Sequence, residues 1–180
     1  MTKRRDILRK VLVICLLALP AVTMIAQDFY DEFRAKSIDV EGVKTGQKMT
    51  YDQFVTKFGK PTEYIQSDSD SGEEGTPTTD EYYRVGKDVF YFRNNGSFCG
   101  FSIKDKKLSV LTLWIDGGIH VGDKLSSLDN FKYGKPKVAS WLEPKDGVVK
   151  YTLFYNYLDG LVFLSVKDGT ICSISYSDPI

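Results

Sequence analysis

The chain has 180 residues, with 24 basic and 24 acidic side chains, 42% hydrophobic residues and 13% aromatic ones. That is enough apolar material to bury a core in one domain or two small ones, and the aromatic wealth excludes a disordered polyelectrolyte. The balanced charge lacks the basic footprint of a nucleic-acid binder, and a single histidine, His120, gives little scope for His-based catalysis or a multi-His metal site.

Lys3, Arg4, Arg5, Arg9 and Lys10 precede an apolar run from Val11 to Ile25, interrupted by Pro20. A basic head followed by about 15 apolar residues reads as a secretory signal, residues 1–26, with Ala26 as the small residue at the cleavage point. The competing reading is an uncleaved N-terminal anchor. Cys15 lies mid-run without the small neighbours that lipid attachment requires. Removal of residues 1–26, which hold five basic groups and one acid, leaves 19 basic and 23 acidic groups, a net charge of −4. The expected product is a mildly acidic exported protein, periplasmic or extracellular, with no stable membrane span after cleavage and no attraction to phosphate backbones. Residues 27–36 read as a linker.

The remainder repeats itself. Gly42-Val43-Lys44-Thr45-Gly46-Gln47-Lys48-Met49-Thr50 returns as Gly118-Ile119-His120-Val121-Gly122-Asp123-Lys124-Leu125-Ser126. Lys57-Phe58-Gly59-Lys60-Pro61 returns, at nearly the same spacing, as Lys132-Tyr133-Gly134-Lys135-Pro136. A third match, at a shorter spacing, sets Phe101-Ser102-Ile103-Lys104-Asp105 against Leu164-Ser165-Val166-Lys167-Asp168. Repeats fix an architecture, so the expected units are residues 37–115 and 116–180.

Thr50-Tyr51-Asp52-Gln53 is a capping box opening a short helix with Phe54, Val55 and Phe58 on its apolar side, stopped by Gly59 and Pro61. Ser126, Leu128, Phe131, Tyr133, Gly134 and Pro136 predict the same helix again. Residues 66–80 form an acidic insertion in the first unit, and 81–85 a further strand. Val89 to Arg93, the turn Asn94-Asn95-Gly96 and Ser97 to Ile103 predict a hairpin, with a third strand from Leu108 to Ile115. Tyr151 to Tyr157, Leu161 to Val166 and Thr170 to Tyr176 predict the second meander, with turns at Asp159-Gly160 and Asp168-Gly169. The fold class is therefore α+β: two tandem repeats, each a short helical element plus a three- to four-stranded antiparallel meander, forming one extended sheet with the helices on one face.

The order of a glycine, a capped helix, Phe58-Gly59-Lys60-Pro61, an aromatic strand and a hairpin resembles the SmpA/OmlA-type outer-membrane-assembly lipoproteins. Two tandem copies resemble the secreted β-lactamase inhibitor proteins. The resemblance covers most of residues 37–180 and implies an envelope or secreted protein that binds other proteins. The chain departs from the first family in lacking a lipid-attachment cysteine, and from the second in lacking two disulfide-forming cysteines within each repeat. No specific binding residue carries over from either.

Asp68, Asp70 and Glu73 give the acidic insertion a faint likeness to a calcium loop, but the distal bidentate Glu is missing and an acidic loop or hairpin is the better reading. Cys99 and Cys172 sit in strand-like runs of different halves with no sequence reason to lie within bridging distance, so buried free thiols are expected, the alternative being a single disulfide that closes a long loop. No motif implies a metal or a cofactor, and no nucleophile, base and oxyanion donor stand together, so no catalytic residue is named. Strand alternation places Phe90, Phe92, Phe101, Ile103, Leu111, Leu113 and Ile115 inward, and turns Val110, Thr112 and Trp114 outward. Tyr91, Phe98, Trp114 and Phe154, with Trp141 after the second Gly-Lys-Pro, are then the candidate binding residues on an aromatic sheet face. The functional expectation is a non-catalytic exported module that binds a protein partner; the alternatives are an envelope-assembly component and a hydrolase.

Overall fold

The computed structural model describes residues 36–68, 79–105, 107–154 and 162–177, together with residue 32. The chain divides into two units, Met1–Lys36 and Ser37–Ile180. In the first, the helical residues Glu32 and Lys36 form an ion pair one turn apart at 2.9 Å; the expected signal sequence and the rest of the expected linker lie outside the described residues. Among the described residues no helix is long and apolar enough to cross a membrane.

The second unit is mostly antiparallel sheet. Strands β1 (Asp39–Val40) and β2 (Val43–Lys44) make a small hairpin, followed by helix α1 (Tyr51–Phe58). Then come β3 (Glu63–Asp68), β4 (Thr79–Val85), β5 (Asp88–Arg93) and β6 (Phe98–Ile103), a 3₁₀ turn over Leu125–Leu128, and β7 (Lys137–Val138), β8 (Val148–Leu153), β9 (Val162–Lys167) and β10 (Thr170–Ser177). Strands β3 to β10 form one eight-stranded sheet in the order β3-β4-β5-β6-β10-β9-β8-β7. Two four-strand meanders thus meet along their last strands.

Local sequence accounts for much of this. The capping box forms: Gln53 N donates to Thr50 Oγ1 at 3.3 Å and Thr50 N to Gln53 Oε1 at 2.8 Å. Gly59 ends α1 at φ 96°. Phe54 and Phe58 face the sheet, Phe54 edge-on to Phe90 and Phe92 at 5.3 and 5.7 Å, and Phe58 4.4 Å from Phe90. Asp168 and Gly169, at φ 50° and 69°, supply the paired positive dihedrals of a two-residue hairpin.

The expected second helix is corrected. Residues 125–128 make a single 3₁₀ turn, with Lys124 at its N-cap and no side-chain cap. The sequence after Ser126 offers Asp129 where the first helix has Gln53, and then Asn130, Phe131 and Tyr133, all weak helix formers.

The expected strand from Leu108 to Ile115 is also absent. The buried Asp39 carboxylate accepts from Gly42 N, Thr112 N and Thr112 Oγ1 on Oδ2 and from Leu113 N on Oδ1, at 2.5–3.2 Å, which folds residues 111–115 into a turn. Leu111 takes φ 61° there. Val110 and Leu111 are both fully buried while Leu113 and Ile115 are only partly so, contrary to the alternation expected of a strand.

A further alignment lies in the strands: Gly96-Ser97-Phe98-Cys99-Gly100-Phe101-Ser102-Ile103 aligns with Gly169-Thr170-Ile171-Cys172-Ser173-Ile174-Ser175-Tyr176, which sets β6 against β10, whereas setting Ser102 against Ser165 sets β6 against β9. Both segments follow a hairpin turn, and both carry a bulge at the cysteine, where the register shifts. Each is gripped in the same way, one by residues 46–49 and the other by residues 122–125. Gly46 N donates to Phe98 O, Phe98 N to Gln47 O and Met49 N to Gly96 O, at 2.7–3.1 Å; Gly122 N donates to Ile171 O, Ile171 N to Asp123 O and Leu125 N to Gly169 O, at 2.8–2.9 Å. At the junction of the meanders Ser102 pairs with Ser175, flanked by Phe101 with Tyr176 and Ile103 with Ile174.

Both cysteines are free thiols, but Cys172 is exposed and Cys99 half-buried, because a bulge residue leaves the regular inward row. The β6–β10 ladder ends at Ile103 with Ile174, so Cys172 lies beyond the end of the ladder and Cys99 before its start.

Candidate functional site

The five aromatic residues expected on one sheet face do not share one. Phe98 is fully buried against Phe92 and Phe101 at 5.5 and 6.2 Å. The bulge at Cys99 turns Phe98 and Phe101, three positions apart, to the same inward side, where strict alternation sends them to opposite faces. Phe154 is buried too, at φ 65°. Trp114 lies on the turn held by Asp39, not on a strand; its indole N–H donates to Ser37 O at 2.6 Å, and its ring packs on Tyr133 and Phe154 at 5.0 and 5.1 Å. Phe131 completes this cluster, 5.4 Å from Phe154. Trp114 and Phe154 are brought together in this cluster, Phe154 buried and Trp114 partly so. Trp141 is exposed on the turn after β7, and Tyr91, 36% exposed, lies on the sheet face opposite α1, its ring 6.2 Å from Tyr82.

Around Tyr91 that face is hollow. The cross-strand row Val89, Ser102, Ser175, Phe163 sets two small side chains side by side next to Phe163. The resulting depression, about 360 Å³, runs from Tyr91 over Ser102 and Ser175 to Phe163. Serine hydroxyls at its floor can donate or accept, and the rings at its ends offer apolar contact.

A second cavity, about 390 Å³, opens at the β3 edge of the sheet, lined by Tyr51, Pro61, Thr62, Glu63, Tyr64 and Tyr83. Tyr64 stacks on Tyr83 at 5.3 Å and Tyr51 stands 5.9 Å from Tyr83; Tyr51 and Tyr64 are each about half exposed. Glu81 lies opposite Gln66, two positions along from the Tyr64–Tyr83 pair. Desolvation first, and the Glu81 carboxylate second, push the Tyr64 and Tyr83 phenols above the usual tyrosine range. Arg84 Nε binds Glu63 at 2.6 Å, which raises the guanidinium further. From Glu63 to Glu81 the sequence carries seven acids and no Lys or Arg. Sequence reasoning misses Tyr51 and Tyr64; the signal that could have found them is this interleaving of acids with tyrosines.

One arrangement has the composition of a hydrolytic triad. Ser109 Oγ lies 2.8 Å from His120 Nε2, and Asp123 Oδ2 lies 3.7 Å from His120 Nδ1. The second distance is beyond hydrogen-bond reach, whereas a triad acid must hold the ring N–H. Asp123 Oδ2 instead accepts from the backbone N of His120 at 2.8 Å, as Gln47 Oε1 does from Lys44 N at 3.3 Å in the corresponding turn. Ser109 N donates to Glu41 Oε1, so a carboxylate stands beside the serine. This geometry closes turns. Among the described residues no group of three His, Cys, Asp or Glu side chains is placed to hold a metal ion; the tip of the acidic insertion, residues 69–78, lies outside them.

No protein-family model, no curated protein and no solved structure matches the chain.

Proposed function

We propose that this is an exported, non-catalytic protein-binding module, built from two copies of one four-strand meander unit, of which the first carries helix α1, and recognising its partner through the sheet face opposite α1. The duplication reading is supported by the paired grips of residues 46–49 on 96–98 and of 122–125 on 169–171. It is supported as well by the self-matching β6–β10 ladder, where Ser102 faces its own counterpart Ser175 while Phe101 and Ile103 face each other's counterparts, as about a pseudo-twofold axis between Ser102 and Ser175. The observation that carries the binding reading is the depression between Tyr91 and Phe163: a half-exposed tyrosine beside a small-residue floor can seat a projecting side chain. The export reading rests on the basic head and apolar run, and it agrees with the resemblance to envelope and secreted families.

Capture from envelope extracts by the purified mature chain tests both. Tyr91→Ala is expected to lower partner yield by about tenfold, the usual cost of truncating an interface anchor, with an unchanged melting temperature. Equal capture by the variant would remove the face from consideration. Mature protein recovered outside the cytoplasm is expected to begin near Gln27; an intact N-terminus in the membrane fraction would establish the anchor instead.

A further inference from the structure

We infer that the open edge of β3 and its tyrosine cavity form a second binding site, one that takes an extended, lysine- or arginine-bearing protein segment as an added strand. Three observations converge. First, β3 is the edge strand of the sheet, paired with β4 along its whole length, and no described strand lies on its other side. Its outer N–H and C=O groups are a template for another chain. The opposite edge, β7, is guarded: it is only Lys137 and Val138, and it follows directly on Lys135-Pro136. Second, the cavity beside β3 is walled by Tyr51 and Tyr64, whose half-exposed faces suit a cation. Third, the edge keeps an acid over: Glu63 is paired with Arg84, whereas Glu81, opposite Gln66 and two positions along from the Tyr64–Tyr83 pair, has no cation on it among the described residues.

The geometry assigns each part a role. The ladder of an added strand supplies affinity without regard to sequence, and alternate side chains fall on the Tyr64 face. An ammonium or guanidinium there sits over the tyrosine rings in the field of Glu81, which rejects an acidic segment. This site does not depend on the face around Tyr91, because the two lie on different strands and different sides of the sheet.

The test uses the mature chain and three labelled heptapeptides: alternating Lys and Val, alternating Glu and Val, and the Lys–Val peptide fully N-methylated. Anisotropy gives affinity and amide chemical shifts give location. The Lys–Val peptide is expected to bind and to shift the β3 amides. The Glu–Val and N-methylated peptides should each bind weaker by about tenfold or more, the first for lack of positive charge and the second for lack of strand donors. Tyr64→Ala and Glu81→Gln should each weaken the Lys–Val peptide several-fold, while Tyr91→Ala leaves it unchanged. Equal binding of the N-methylated peptide, shifts centred on other strands, loss of binding in Tyr91→Ala, or β3 shifts that follow protein concentration without peptide would each overturn the assignment. The last outcome would make β3 a self-pairing edge.

Discussion

Trp114 shows how a single buried carboxylate redirects a segment. The apolar alternation from Leu108 to Ile115 is a fair strand pattern, yet Asp39, far away in the sequence, offers two oxygens to the amides of Thr112 and Leu113 and to the Thr112 hydroxyl. A buried carboxylate must be satisfied, and a turn satisfies it where a strand cannot. The indole then lands against Tyr133 and Phe154. Trp114→Ala is therefore expected to lower stability by about 2–4 kcal/mol, with a clearly lower melting temperature, and to affect binding only through unfolding. An unchanged melt would contradict the cluster. Tyr83 and Tyr64 carry a different signature. Their folded-state phenols titrate above the ordinary value of 10.0. The protonated form is thus favoured by folding: the contribution is full below pH 10 and is lost as pH rises through the elevated folded values. Ultraviolet titration should show late ionisation that Tyr64→Phe and Tyr83→Phe each diminish, and Glu81→Gln should reduce the lag without abolishing it, since desolvation is the larger cause.

Elements differ in how much of their fate is local. The α1 cap is written in four consecutive residues, and it forms as written. Thr50→Ala should cost about 1 kcal/mol, the usual value of an N-cap, whereas Ser126→Ala should change stability by only a few tenths, because no side chain caps the 3₁₀ turn. Urea melts of the two variants make the comparison directly. The hairpins at Gly96 and Gly169 are equally legible, since each turn announces itself by its glycine. Bulges are not. Nothing in the residues around Cys99 says that the ladder gains a position there, and that one shift sends Phe98 inward and removes it from the exposed aromatics. The same blindness hides the match of β6 with β10, because alignment by apolar pattern alone slides β6 onto β9. Strand β3 is hard to see because Glu63, Gln66 and Asp68 dilute its pattern and its partner lies beyond the acidic insertion. Of the candidate sites, Tyr91 is reachable by alternation; the tyrosine cavity needs the pairing of β3 with β4 and the docking of α1.

At the scale of the whole sheet, the order of strands sets an order of stability. The β6–β10 junction lies at the centre, with three strands on each side, and its inward residues Phe101, Ile103, Ile174 and Tyr176 are all buried. The two edges are β3, half solvated, and β7, which is very short. Opening the centre must expose both meanders, whereas opening an edge exposes one strand. If the two halves fold as one body, the amides of β6 and β10 should exchange with solvent at a common, slowest rate set by global unfolding, and protection should fall towards both edges. Native-state hydrogen exchange read strand by strand provides the measurement. The contrary result is specific: if β8 and β9 exchange together well before β4 and β5, the second meander opens on its own. The β6–β10 ladder would then be an interface between two separately folding units, and not the centre of one core. The continuous inward row from Phe90 through Phe101 and Tyr176 to Val162, which crosses the junction without a polar break, argues for the single body.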